Sequence, residues 1–337
     1  MFDDALLDDE SALTRADGVL RDLAGCGARV RLDAHTAQEA IGSLVGDADQ
    51  RPRAVVAVGP AARLVRAVLE PACPVPFVAW PGPGLPGWAG SLDLVVALGA
   101  PDGPGVHAAA AEAIRRGCPL LVVTVATSPL AEVAASRWTT LVPTATADPL
   151  AVAVVTIQAL AAAGLAAPFE TEEVAQALDE VALSSSPYVD LGTNRTKQLA
   201  SSIGDDVPLL WGGSVLAARA ARRWAEGLRR ASGQAALAAE ADDIVAVLDA
   251  NPPRDLFADP FEDPVASRPA SALVLLDDRV EAPSVRIDRG NILGAAARHG
   301  ARHDEVFAGE GGDLARYASL VATGGYTAAY LGIGLGR

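Results

Sequence analysis

The segment Pro208-Leu-Leu-Trp-Gly-Gly-Ser214 runs straight on into Val215-Leu-Ala-Ala-Arg-Ala-Ala-Arg-Arg-Trp224 and reads as a buried strand that stops at glycine and turns directly into a helix. A strand that hands over to a helix in this way belongs to a parallel sheet, because the chain must cross the sheet face before it can pair again. The same pattern stands earlier, from Arg53 through Gly59 to Val68. Two related α/β units in tandem are therefore expected. Each strand-glycine-helix junction marks a place where such folds hold anions.

Length and composition agree with two buried cores. The chain has 337 residues, 50% of them hydrophobic and only 20% charged, which is ample apolar material for two domains. Acids outnumber bases 42 to 27, for a formal net charge of -15. That balance argues against a nucleic-acid surface, which needs clustered Lys and Arg. Lys197, the single lysine, is expected on the surface. Cys26, Cys73 and Cys118 lack any C-x-x-C spacing, so neither a disulfide framework nor zinc is indicated and a reducing cytoplasm fits. The N-terminus is acidic and does not read as a secretory signal. Tyr317 to Gly336 is uncharged over a membrane-spanning length, but its five glycines, three tyrosines, two threonines and one serine predict a buried or interface helix. No cofactor and no membrane partner are called for.

Short apolar runs at 30–32, 54–58, 76–79, 94–98, 120–125 and 140–142 read as strands of a parallel sheet. Helical spacing or composition falls at 11–24, 36–46, 60–70, 105–117 and 129–136, and Asp148-Pro149 caps a further apolar helix. The predicted organisation is a first domain over 1–163, a connecting helix and linker over 164–192, and a second domain over 193–337. In the second, helices are expected at 193–203, 214–231, 291–299 and 313–334, with strands at 207–211 and near 234–238, 272–276 and 284–287. A proline-rich acidic loop at 251–264 reads as a surface excursion.

The anion-binding candidates differ between the two junctions. Gly212, Gly213 and Ser214 offer flexible backbone, close approach and a hydroxyl, which suits either a small-anion cradle or a tight turn with Ser214 as helix cap. Gly59 is followed by Pro60, which removes one N–H donor. The next strand end, from Gly99 to Gly105, carries Asp102 where a phosphate loop would want hydroxyls. A carboxylate there repels phosphate.

The chain resembles the bifunctional phosphoglucose/phosphomannose isomerases, which are built from two sugar isomerase (SIS) domains and act as dimers on hexose 6-phosphates. The resemblance rests on Thr193-Asn-Arg-Thr-Lys-Gln-Leu-Ala200, Pro208 to Ser214, Arg222-Arg-Trp224, Leu314-Ala-Arg-Tyr-Ala-Ser-Leu320 and Gly325-Tyr-Thr-Ala-Ala-Tyr-Leu331. It implies two α-β-α sandwiches, a sugar-phosphate or nucleotide-sugar ligand and a homodimer. Isomerisation through an enediolate needs a carboxylate base, a ring-opening group and a cation beside the oxyanion. Against the family pattern, Arg230 stands near the expected glutamate with Glu226 a turn early, and the window around Glu240 has no histidine. Leu150 follows Pro149 where the family has an arginine, and the family's C-terminal lysine is expected to be missing. The expectation is a sugar-phosphate-binding, catalytically degenerate SIS protein with a regulatory or assembly role in hexose or mannose phosphate metabolism. The alternatives are an active aldose-ketose isomerase using Glu226 or Glu240, or a structural partner of a heteromeric enzyme.

His299 and His303, four apart, are expected to share a helix face beside Asp304 and Glu305 as solvated side chains, since no third zinc ligand is placed by spacing. Cys26 and Cys118 read as buried thiols ahead of strands. Trp80, Trp88, Trp211 and Trp224 read as core or interface anchors, Trp88 being the best candidate for stacking on a sugar.

Overall fold

The computed structural model describes residues 1–44, 51–99, 103–250 and 270–337. They form two compact units: a first unit, Cys26–Gln176, and a second built from Met1–Gly25 together with Ala177–Arg337. In chain order, a 3-10 turn at Asp4–Leu7 precedes α1 (Glu10–Arg15) and α2 (Asp17–Ala24) of the second unit. The first unit follows as α3 (Cys26–Leu44), β1 (Val55–Val58), α4 (Ala62–Leu69), β2 (Phe77–Trp80), β3 (Leu94–Leu98), α5 (Pro104–Arg116), β4 (Leu120–Val125), α6 (Pro129–Val133), β5 (Thr139–Thr144) and α7 (Pro149–Ala162). The chain returns through α8 (Thr171–Ser184) to α9 (Arg195–Ile203), β6 (Val207–Gly212), α10 (Val215–Ser232), β7 (Leu237–Ala238) and α11 (Ala241–Ala250). It ends with β8 (Ser271–Asp277), α12 (Pro283–His299), β9 (Arg302–Phe307) and α13 (Asp313–Gly334).

Both sheets are parallel throughout, ordered β2-β1-β3-β4-β5 and β7-β6-β8-β9. Val55, Val56, Ala57 and Val58 are all buried, as a strand covered on both faces requires. α7 is apolar nearly all round and buries Ala151 through Ile157 without a break, the composition of a helix enclosed by its neighbours. In the second sheet, Leu209, Trp211, Leu273 and Leu275 share one core with Ile244 and Leu248 of α11 and Ile292 of α12. The opposite face packs on α10.

Several sequence expectations are corrected. Residues 30–32 lie inside α3, which buries Val30, Asp33 and Ala37 along one helical face; so short an apolar run fits a helix as well as a strand. Residues 284–287 open α12 with Pro283 at its first position, while a strand that pattern reading missed, β9, follows at the sheet edge as Arg302-His-Asp-Glu-Val-Phe307. His299 therefore ends a helix and His303 sits in a strand, so they share no helix face. His299 instead places Nε2 3.0 Å from Asp249. Cys26 begins α3, and Cys118 is buried ahead of β4, where burial pushes its thiol pKa up. The 251–264 loop and the strand end at 100–102 lie outside the described residues. Among the described residues, no helix is long and apolar enough to cross a membrane.

Lys197, expected at the surface, is fully buried. Its ammonium donates to Asp8 Oδ1 at 2.6 Å and to the Pro187 carbonyl at 3.0 Å, and lies 5.4 Å from the Tyr330 ring centroid. A buried ammonium needs such a partner set to offset its lost hydration. Phe2 adds an apolar anchor: its ring occupies the space that a Cβ on Gly204 or Gly334 would need, at 2.4 and 2.2 Å. The Asp3 N–H closes the joint on the Gly334 carbonyl at 2.8 Å. These contacts explain why Met1–Gly25 belongs to the second unit, whereas the sequence boundaries assign 1–163 to the first domain and begin the second at 193.

Replacing Lys197 by Met should cost about 1–3 kcal/mol in denaturant unfolding, the worth of charged hydrogen bonds reduced because Asp8 is half exposed. The Lys197 hydrogen bond is the main cause holding the Asp8 carboxyl below its usual pKa. Its stabilisation is therefore present above the ordinary carboxylate range and lost as pH falls through the lowered value. Asp8→Asn should flatten that acid limb of a stability-pH curve, and an unchanged limb would contradict the assignment.

Candidate functional site

In the second sheet, β6 passes through α10 to β7 on one side and pairs with β8 on the other. The strand order thus reverses between β6 and β8, and a crevice opens beyond their carboxyl ends, the place where open α/β sheets bind ligands. A cavity of about 540 Å³ lies there, within the size range of small-molecule sites. Arg279, Arg286 and Arg289 line it, faced by Asp277, Asp278, Glu281 and Glu305. Three guanidiniums against four carboxylates give a site of mixed charge, suited to a ligand that carries both an anion and hydroxyls.

The Gly212-Gly213-Ser214 turn meets the cavity at Gly213. A Cβ on Gly212 would lie 2.2 Å from the Ala217 carbonyl carbon, and one on Gly213 would lie 2.4 Å from Val285. Both glycines are required by close packing of the turn. Ser214 caps α10, its Oγ accepting the Ala217 N–H at 3.0 Å, which is the turn-and-cap reading of the sequence. The same hydroxyl donates to Asp278 Oδ2. Asp278 is only 6% exposed, so a buried carboxylate stands beside the hydroxyl that a phosphate cradle would have used.

Most other charges in the crevice are committed to one another. Arg289 reaches Glu305 at 2.6 Å and Asp277 at 3.4 Å, and the Glu305 hydrogen bond is the main cause raising the guanidinium pKa. Arg279 has φ 64°, a left-handed conformation uncommon outside glycine. Three contacts hold it there: its N–H donates to Asp277 Oδ1 at 2.7 Å, its Nε to the Ala308 carbonyl at 3.0 Å, and its guanidinium pairs with Glu310 at 2.7 Å. Arg286, on the first turn of α12, has no acidic partner among the described residues.

The remaining sequence candidates are not brought into this crevice. Glu226 lies within α10, roughly 18 Å along the helix from Ser214 at 1.5 Å per residue, and pairs with Arg223 at 2.8 Å. Glu240 follows β7, is exposed, and pairs with Arg222 at 3.1 Å. In the first unit the order reverses between β1 and β3, which puts Gly59 and Gly99 at the corresponding edge. Gly59 has φ 117° and would place a Cβ 2.3 Å from the Leu98 carbonyl oxygen, while the Gly99 N–H is spent on the Val123 carbonyl at 3.0 Å. Asp102 lies outside the described residues. Trp88 is about half exposed, on a loop held by Arg53 through the Trp88 carbonyl and Asp93. Pattern reading passed over Asp278, Arg286 and Arg289; the signal that would have found them is Pro283, whose fixed φ suits the first position of a helix.

Residues 192–337 match the family described as the bacterial phospho-glucose isomerase C-terminal SIS domain. No curated protein matches the chain. Among solved structures, tagatose-6-phosphate ketose/aldose isomerase from Escherichia coli is 13% identical with TM-score 0.62, covering 96% of this chain and 94% of that one. A glucose-6-phosphate isomerase like protein from Thermus thermophilus is 17% identical with TM-score 0.52, at 99% and 93% coverage. The C-terminal domain of glucosamine-fructose-6-phosphate aminotransferase from Francisella tularensis is 11% identical with TM-score 0.59, at 91% and 95% coverage. At these identities the structures speak to the fold, and the match over 192–337 speaks to the family. Residues 192–337 are thus matched as a bacterial phospho-glucose isomerase C-terminal SIS domain, and the chain as a whole shares the fold of these solved structures, with two parallel sheets that each reverse strand order.

Proposed function

We propose that the chain binds a phosphorylated hexose in the crevice between β6 and β8 and lacks the proton-transfer set of an isomerase. The observation that carries this reading is the cavity of about 540 Å³ at the strand-order reversal, with guanidiniums and carboxylates on its walls. Arg286 supplies a cation at the start of α12, where helix N–H groups also favour an anion. The carboxylates suit sugar hydroxyls, which donate hydrogen bonds to them. A regulatory or assembly role in hexose phosphate metabolism then follows from ligand binding without turnover.

The competing reading, an active aldose-ketose isomerase using Glu226 or Glu240, requires a base within hydrogen-bond reach of the proton it removes. Glu226 sits far along α10 and Glu240 is exposed and paired with Arg222, so neither position favours it.

Calorimetric titration with glucose, mannose and fructose 6-phosphates should show binding by at least one of them. Arg286→Ala should weaken it by about tenfold or more, the worth of a charged hydrogen bond. Absence of heat with all three would remove the proposal. A coupled assay should detect no conversion of mannose 6-phosphate to fructose 6-phosphate, and ready turnover would establish the competing reading instead.

A further inference from the structure

The start of α10 has the features of an anion site: a strand-glycine-serine turn, an 18-residue helix and a cavity at its mouth. Its first-turn N–H groups and dipole end would attract a phosphate. Here, however, that end is already engaged from within the chain. Ser214 gives its proton to Asp278 Oδ2 and its lone pair to the Ala217 N–H. We propose that Asp278 acts as a built-in anion at the start of α10, excluding phosphate from that turn and setting which end of the ligand lies there.

Charge already in place decides what can enter. A second negative group brought to about 4 Å from a carboxylate is disfavoured by between about fivefold and several hundredfold per charge, according to how well water screens the pair. Asp278 is buried, so screening is weak. An ionised carboxylate is an acceptor only, and Ser214 engages one of its two oxygens. What it can still receive is a hydroxyl or an ammonium.

The other charges restrict the pose further. Asp277 serves the Arg279 N–H and Arg289, Glu305 serves Arg289, and Arg279 is held by the Ala308 carbonyl and Glu310. Arg286 remains for an incoming anion, and Asp278 and Glu281 for incoming donors. A phosphorylated sugar would then lie with its phosphate toward α12 and its hydroxyl-bearing carbons toward Ser214 and Asp278. This pose rests on the binding reading above, whereas the exclusion of phosphate from α10 does not.

The test uses the full chain and inorganic phosphate as probe, followed by calorimetry or phosphorus NMR. Asp278→Asn should raise phosphate affinity at least about tenfold, since it removes the repelling charge. The double variant Ser214→Ala/Asp278→Asn should lose that gain. Asp278→Ser is a second neutral variant, and whichever of the two keeps the wild-type circular dichroism spectrum is used. A phosphate affinity unchanged in the neutral variant, or a gain that survives without Ser214, would overturn the proposal. Should the wild type bind no hexose phosphate while the neutral variant gains phosphate through Ser214, the role of Asp278 stands and the binding reading falls.

Discussion

The packing of α10 against α13 supports everything at the ligand edge of the second unit. The Trp224 indole lies where a Cβ on Gly324 would need to be, 2.2 Å from Nε1, and donates to the Leu320 carbonyl at 2.6 Å. Both groups are buried, so the hydrogen bond and the aromatic area act in one place. Because α10 is held along its length in this way, its first residue meets the end of β6 at a fixed point. The cap at Ser214 and its bond to Asp278 depend on that placement.

Parallel sheets leave their functional potential at the carboxyl edge, and the two units use it differently. In the first, Gly59 packs against the Leu98 carbonyl and Pro60 withholds a donor. In the second, the edge carries a cavity, a buried carboxylate on the helix cap and a set of arginines largely paired with acids. The fold shared with solved phosphosugar isomerases is present, and most of the charges around the crevice are paired with one another. Glu226 and Glu240, the acids nearest to the family pattern, are tied to arginines elsewhere on the unit.

Much of this was legible in the sequence. The β6-α10 junction was readable because an apolar run, two glycines and an amphipathic helix follow one another without interruption, and Asp148-Pro149 announced α7 by its capping chemistry. The start of α12 and the whole of β9 were not, since Ser284-Val-Arg-Ile287 alternates like a strand and β9 is a polar edge strand. That misreading hid Asp278, Arg286 and Arg289, three of the seven charged residues that line the crevice. The burial of Lys197 was invisible for another reason: its partner, Asp8, lies 189 residues earlier in the chain, and local composition does not report such a pairing.

The most direct test is a crystal structure of the chain soaked with glucose 6-phosphate. The phosphate is expected against Arg286 at the start of α12, with sugar hydroxyls on Asp278. A phosphate seated on the Ser214 turn, or a ligand found only in the first unit, would contradict this placement.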